Sequence, residues 1–260
     1  MGKTPKIVLL DIETLPLIAA TFSLYPESIN HDNIISDWSV ICVCWKYLDK
    51  PTIYSSSILD DPKAFKEDVN NDFVVISKVR EILQDADVVI GHNVKKFDLK
   101  KFNARLIYHG LDPLPSGILV LDTLTEVRKV AAFTSNRLDY LSKHLIGDGK
   151  IETSKGLWLR VLKGEKQAVK DMTAYCKNDV KILEDVYLKL RPYMKSHYHT
   201  GVLHGEDKQH SCPKCGSIDL KNSKIRFSSA GIKKIQKQCN TCHAYSTFIY
   251  KSEETINEKA

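Results

Sequence analysis

The chain has 260 residues, 43% of them hydrophobic and 27% charged, and a formal net charge of +6. Those proportions are ordinary for a soluble globular protein, and the length suits one large domain or one domain plus a small module. No apolar run approaches the ~20 residues that cross a bilayer, so a membrane-embedded function is excluded and no membrane partner is expected.

The opening residues Met1-Gly2-Lys3-Thr4-Pro5-Lys6 lead into a short apolar stretch interrupted by Asp11 and Glu13. That is unlike the uninterrupted core of a secretory signal, so residence in the cytoplasm, of a host cell if the protein is viral, is the expectation. Seven cysteines, an odd number, include two CxxC pairs and point to metal binding rather than a disulfide framework. The positive charge leans toward acidic partners.

Residues 7–14, Ile-Val-Leu-Leu-Asp-Ile-Glu-Thr, read as a buried strand that carries two carboxylates two positions apart. Side chains at i and i+2 leave a strand on one face, so Asp11 and Glu13 project together. Adjacent anions repel, and burying them is costly unless a cation neutralises them. Oxygen-only ligation favours a hard divalent ion such as magnesium or manganese. Taken alone, the pair fits an exposed strand end equally well. After an irregular polar stretch through Ser36, residues 38–47 are β-branched and aromatic and predict a strand, with 52–57 pairing to it across Asp49-Lys50-Pro51. Cys42 and Cys44 share one face of that strand. They read as buried thiols rather than a metal site, because no further Cys or His accompanies them at ligand spacing.

Phe73, Ile76, Val79, Ile82 and Leu83 predict a helix over 72–83, and 87–91 reads as another buried strand; this is the rhythm of an α/β fold. Asp98 ends the stretch Gly91-His92-Asn93-Val94-Lys95-Lys96-Phe97-Asp98, where a loop enters the helix of Leu99, Phe102, Leu106 and Ile107. A carboxylate there can cap the helix or reach a metal at the sheet edge. Asp122, ending a strand over 118–122, is likewise a cap or an outer acid. Lys95, Lys96, Lys100, Lys101 and Arg105 crowd around Asp98 as a phosphate-facing rim or a solvated helix face. Phe97 reads as core, and Leu15 and Phe22 either wedge a base or pack.

Residues 136–145 suit a short helix closed by Gly147, 147–156 a polar mobile connection, and Trp158 and Leu162 another short amphipathic piece. From Glu165 an apolar stripe predicts a long helix ended by Pro192. On it Tyr175 and Asp179 stand at i and i+4 and share a face. A phenol and a carboxylate so placed can address one point in space, or be a core tyrosine beside a solvated acid.

Residues 193–210 are polar, carry His197, His199, His204 and His210, and read as a linker. Cys212-Pro213-Lys214-Cys215 and Cys239-Asn240-Thr241-Cys242 follow, separated by 23 residues. Two such knuckles close four thiolates around a tetrahedral zinc, which a module this small needs in order to fold. The pattern resembles a zinc ribbon, with His243 a competitor to Cys242. Short strands are expected at 225–228, 235–238 and 245–250. From Lys208 to Lys251, nine Lys or Arg stand against one acid, Asp219, which favours nucleic-acid contact over protein docking. The tail, 252–260, is polar and expected to fray.

Asp11 and Glu13 in Asp-Ile-Glu-Thr, Asp98 in its Gly-His-Asn stretch, and Tyr175 with Asp179 in Tyr-Cys-Lys-Asn-Asp resemble, in chain order, the three exonuclease motifs of the DnaQ-like DEDD superfamily. Tyrosine four residues before the last aspartate is similar to the DEDDy branch, which includes the proofreading domains of family B DNA polymerases. The resemblance covers about residues 6–193. It implies an α/β ribonuclease H-like fold, a mixed sheet flanked by helices, with the small β-rich ribbon appended. It also implies two magnesium or manganese ions held by Asp11, Glu13, Asp98 and Asp179. Asp11 would bridge, Glu13 and Asp179 would complete the nucleophile-side ion, and Asp98 would act on the second through water. Tyr175 would orient the attacking water, since a phenol of pKa about 10 is a poor base at neutral pH. Thr14 and Asn93 would contact the terminal nucleotide, and Lys95 and Lys96 the phosphates.

The expected reaction is stepwise 3′ to 5′ hydrolysis, releasing nucleoside 5′-monophosphates from nucleic acid with a free 3′ end, DNA ahead of RNA. The expected organisation is an exonuclease domain over 1–195, a linker over 196–210, a four-cysteine zinc ribbon over 211–251 and a flexible tail over 252–260. Any replication or repair protein partner would be a separate chain. The competing reading is a noncatalytic nucleic-acid-binding or adaptor protein on the same fold, whose signature would be a lost motif carboxylate; none is missing.

Overall fold

The apolar run at the start of the chain forms β1 (Ile7–Thr14), whose first four residues are all buried. The structure is a computed structural model and describes residues 5–48, 50–147, 149, 154–205 and 208–250. Asp49 of the expected turn, half of the 147–156 connection (148 and 150–153) and the tail from 252 lie outside the described residues. After β1, the stretch read as irregular contains a small two-stranded ribbon, β2 (Ile18–Ala19) and β3 (Ile34–Ser36). Then come β4 (Val40–Tyr47) and β5 (Ile53–Ser57), antiparallel neighbours as their composition predicts. The helix α1 (Pro62–Glu67) is not announced by apolar spacing. It starts on Asp61, whose carboxylate accepts from the N–H groups of Lys63 and Ala64, with a proline in its first turn.

The helix α2 (Phe73–Gln84) follows, burying Val75, Ile76, Val79, Ile82 and Leu83 on its inner face. The wholly buried β6 (Val88–Gly91), α3 (Asp98–Tyr108) and β7 (Leu119–Asp122) complete the α/β rhythm. Next are α4 (Thr123–Val130), which the spacing also leaves unannounced, and α5 (Leu138–Ile146), closed by Gly147 in the left-handed conformation. The short α6 (Leu157–Leu162) and the long α7 (Lys166–Leu190) end this part of the chain, α7 stopping just before Pro192.

The main sheet has the strand order β5-β4-β1-β6-β7. The strands β1, β6 and β7 run parallel, and β4 and β5 are antiparallel additions at one side. Burial of every residue of β6, and of all but the last of β4, fits a sheet covered on both faces by helices. This is the mixed, helix-flanked sheet of a ribonuclease H-like fold. No helix among the described residues is long and apolar enough to cross a membrane.

The chain divides into two compact units, a large one built on Lys6–Arg128 and Ala132–Tyr187 and a smaller one built on the carboxy-terminal part from Leu188. Within the smaller unit, the segment read as a linker contains α8 (Thr200–Leu203), capped by the His199 side chain on the Val202 N–H. Thr200 donates from its N–H to the Pro213 carbonyl and from its hydroxyl to the Lys214 carbonyl, tying α8 to the first knuckle. The ribbon is an antiparallel sheet of β8 (Leu220–Phe227), β9 (Lys233–Cys239) and β10 (Tyr245–Ile249), with β9 in the middle. Its core comprises Cys212, Cys239 and Ala244, with Cys215, Leu220 and Cys242 packed against them.

One buried polar network organises the large unit. Asp72, 0% exposed, accepts from Nε and Nη2 of Arg105 at 2.8 and 2.7 Å, from His109 Nε2 at 2.6 Å and from the Val40 N–H at 2.9 Å. It thereby fastens α2, α3 and β4 together. Arg105 is therefore not part of a phosphate-facing rim: on a helix, its i and i+4 partnership with His109 points inward, where a buried carboxylate needs counter-charge. Lys101 leaves that rim too, since its Nζ lies 3.5 Å from the centre of the Trp38 ring. Phe97 is 39% exposed instead of core, while Leu15 is buried and Phe22 fully exposed.

Breaking this network from one side should be costly. Asp72→Ala strands a buried guanidinium and should lower unfolding stability by about 3–5 kcal/mol, whereas Asp72→Leu with Arg105→Met should lose less. Urea unfolding midpoints at unchanged m-value measure both.

Candidate active site and four-cysteine centre

The register of β1 decides where its carboxylates go. Against the antiparallel β4, Asp11 sits opposite Cys44 and Glu13 opposite Cys42, and a register shift between Glu13 and Thr14 ends the regular ladder. Both carboxylates thus leave one face at the carboxyl end of a central strand, next to a bulge. The helix α7 lies over that face. Cys44 Sγ donates to the Thr173 carbonyl at 3.5 Å, Cys176 Sγ to the Asp11 carbonyl at 3.4 Å, and Lys46 pairs with Glu184 in a nearly buried salt bridge.

Those anchors bring Asp179 to the strand. One carboxylate oxygen from each of Asp11, Glu13 and Asp179 lies within 4.8 Å of the others. Tyr175, one turn before Asp179, lines the same cleft. The third cysteine is what the spacing does not reveal: Cys42, Cys44 and Cys176 are all 0% exposed and their sulfurs cluster within 4.8 Å. Burial pushes the Cys176 thiol well up, so it serves as a weak donor and a small apolar filler beneath Asp11.

Asp98 begins α3 and is 3% exposed. Its carboxyl is pushed up to about 7, chiefly by burial, with the Asp122 charge adding to it; the N–H groups of Asp98 and Ile12 pull the other way. Ile12 separates Asp11 from Glu13, so the fourth carboxylate lies against the backbone of β1 and stands outside the cluster of three. Its Oδ1 is buried and has no hydrogen-bond partner. A buried acid with one oxygen left without a partner, close to three more, fits a site that takes hard divalent cations.

Asp122 contrasts with it. One oxygen accepts from the N–H of Asn93 and of Thr125, each at 3.1 Å, and the other from the N–H of Lys95 at 3.1 Å. It caps α4 and, with the same carboxylate, pins the loop in which Asn93 takes a positive φ of 70°. Gly91 cannot be larger, because a Cβ there would meet Val94 Cβ at 2.6 Å. His92 bridges Thr123 Oγ1 and the Asn136 carbonyl, both at 2.9 Å.

The cleft, of about 940 Å³, is lined by Asp11, Tyr175 and Asp179, by His92 and Asn93, and by Arg128, Asn136, Arg137 and Lys143. Three cations in that wall escape a reading by motif, since they come from two helices and a loop with no shared spacing. Thr14 is half-buried at the strand end, and Lys95 and Lys96 are exposed beyond the residues that line the cleft.

In the ribbon, the sulfurs of Cys212, Cys215, Cys239 and Cys242 lie within 4.8 Å of one another, with Cys212 to Cys242 and Cys215 to Cys239 each 3.6 Å apart. Metal–sulfur bonds of about 2.3 Å in a regular tetrahedron give sulfur–sulfur edges of about 3.8 Å, so the donor set fits zinc. Burial raises the Cys239 thiol, but the N–H groups of Cys242 and Thr241 together with the Cys215 and Cys242 thiols outweigh it and bring it down to about 7. His243 stays outside this set, exposed and at a positive φ of 62°.

The profile of 3′–5′ exonuclease domains matches residues 49–195, which hold Asp98, Tyr175 and Asp179 and begin after β1. Among solved structures, the chain is similar to the family B DNA polymerase from the hyperthermophilic archaeon Pyrobaculum calidifontis, with a TM-score of 0.54 at 12% identity. That match covers 89% of this chain and 32% of the polymerase, and at such identity it speaks for the fold alone. No curated protein matches the chain. With more than half of its length matched and the sheet described above, the chain belongs to the 3′–5′ exonuclease domain family of the DnaQ-like, ribonuclease H-like superfamily.

Proposed function

We propose that this protein is a two-metal-ion 3′ to 5′ exonuclease that shortens nucleic acid, DNA in preference to RNA, to nucleoside 5′-monophosphates, with the ribbon aiding substrate binding. The observation that carries this reading is the convergence of Asp11, Glu13 and Asp179 within 4.8 Å, two of which, Asp11 and Asp179, line a cleft with Tyr175. The sequence signature of the competing noncatalytic reading would be a missing carboxylate, and all four motif positions are acidic.

Asp11, Glu13 and Asp179 would hold one magnesium or manganese ion, and Asp11 with Asp98 the second. When bound, the ions neutralise the carboxylates, draw charge from the scissile phosphate and lower the pKa of water. The chain's own groups do the rest. Tyr175 orients the attacking water through its hydroxyl. Arg128, Arg137 and Lys143 in the cleft wall take the negative charge of the incoming strand. Thr14 and Asn93 meet the terminal nucleotide, and Lys95 and Lys96 form an outer basic edge. Residues 1–195 act as the catalytic domain and 211–251 as the substrate-binding ribbon on one structural zinc, joined by 196–210. The setting we infer is intracellular, with a replication or repair protein as a separate partner.

End-labelled oligonucleotides with magnesium or manganese test the reaction. Wild type should give a ladder from 5′-labelled strands and mononucleotides from 3′-labelled ones. Loss of several kcal/mol of charge stabilisation in Asp11→Ala should slow shortening roughly a thousandfold, and Tyr175→Phe about a hundredfold. Equal shortening by Asp11→Ala would reject the assignment.

Asp98→Asn removes a buried charge that has one oxygen without a partner. At pH 8 without divalent metal it should melt about 2–4 °C above wild type in calorimetry, while exonuclease activity is lost. A variant that melts lower would mean that Asp98 serves the fold. Cys239→Ser should reduce bound zinc from one per chain to near none by elemental analysis, and amide exchange should then show the ribbon unprotected.

A further inference from the structure

We propose that one face of the ribbon sheet, made by a single extra residue in β8, is the surface that binds the phosphodiester backbone of a single-stranded nucleic acid. The inference rests on the exonuclease reading for its choice of ligand and on the register of the ribbon for its location. Side chains alternate along a strand, so regular pairing would place Lys221 with Ile225 and Phe227. The register shifts between Asn222 and Lys224. Beyond the shift, Lys224 opposes Gln236 and Arg226 opposes Lys234, while before it Lys221 opposes Gln238. Gln236 and Gln238 are two apart on one face of β9, so the bulge turns Lys221 onto the side of Lys224 and Arg226. Re-aiming a side chain in this way is a common use of a bulge.

The resulting face carries Lys221, Lys224, Arg226 and Lys234, with Tyr245 56% exposed at its third strand. The three strands contain no acid, and none of the four cations is ion-paired among the described residues. The three β8 cations stand opposite every second residue of β9, Gln238, Gln236 and Lys234, a step of about 6.8 Å suited to successive phosphates of an extended strand. Gln236 and Gln238 add neutral donors between them, and Tyr245 offers a ring for a base. The opposite face differs in kind. There Ile225, Ile235 and Phe248 stand side by side across the three strands, and Ile235 is buried. That face also carries Lys233 and Lys237, each set over an aromatic ring, Tyr250 at 3.9 Å and Phe248 at 6.0 Å. Two pairs of cations on opposite faces therefore make a charge-matched comparison.

The test uses the full chain with Asp11→Ala, so that no substrate is cut, and fluorescence anisotropy of labelled oligothymidylate and oligouridylate about 20 nucleotides long. Lys224→Gln with Arg226→Gln should weaken binding about tenfold and lower the slope of log K against log salt by about 1.4 between roughly 50 and 200 mM. Lys233→Gln with Lys237→Gln, equal in charge lost, should change affinity less than twofold. Zinc content of one per chain in both variants establishes that the ribbon is folded. Equal losses from the two pairs, no loss from the first pair, or a face-specific loss confined to a polyglutamate probe would overturn the proposal. Parallel losses on both oligonucleotides are expected for backbone recognition, and a loss on only one would overturn it. The wild-type digestion ladder tests the exonuclease reading separately, because the binding measurement is made with a chain in which cleavage is removed.

Discussion

Three carboxylates whose oxygens lie within 4.8 Å of one another repel strongly, and a fourth sits buried against the strand that carries two of them. Nothing in local structure would hold them so. The force that opposes the repulsion is the packing of α7 on the face of β1 and β4, through the Cys44 and Cys176 thiol contacts and the Lys46 to Glu184 ion pair. Holding these anions together costs the fold stability, and a divalent cation bound among them would relieve that cost. Much of the large unit can be understood as the frame that keeps the acids together in its absence.

The buried acids of this frame separate by how they are satisfied. Asp72 has an arginine, a histidine and a backbone N–H; Asp122 has three backbone N–H groups. Both are complete and both join elements distant in sequence. Asp98 is as deeply buried yet keeps an oxygen without a partner. A buried carboxylate oxygen without a partner is costly, so its persistence next to the other three supports the proposed place of Asp98 in the site.

The ribbon solves a different problem. Its core, the cluster of Cys212, Cys239 and Ala244 with Ile235 buried in the middle strand, is too small to order three strands through hydrophobic burial. Four thiols already set near tetrahedral spacing allow a metal to supply that cohesion, which leaves the outer strand faces free to carry unbalanced charge. A metal centre in the knuckles would make a basic sheet surface compatible with a minimal core.

Sequence by itself determined the elements whose signal is local. The strand with Asp11 and Glu13, the long helix with Tyr175 and Asp179, the α/β rhythm and the paired knuckles are legible because period and spacing act over a few residues. It missed α1 and α4, whose starts are marked by the Asp61 and Asp122 caps rather than by a long apolar stripe. It also misread Arg105, since one charged residue looks the same on an outer helix face as when bound to Asp72. Only the tertiary structure decided which carboxylates meet, that Cys176 joins Cys42 and Cys44, and that Arg128, Arg137 and Lys143 share the cleft. Those relations connect residues far apart in the chain, and they are set by strand register and helix packing, which no short stretch of sequence encodes.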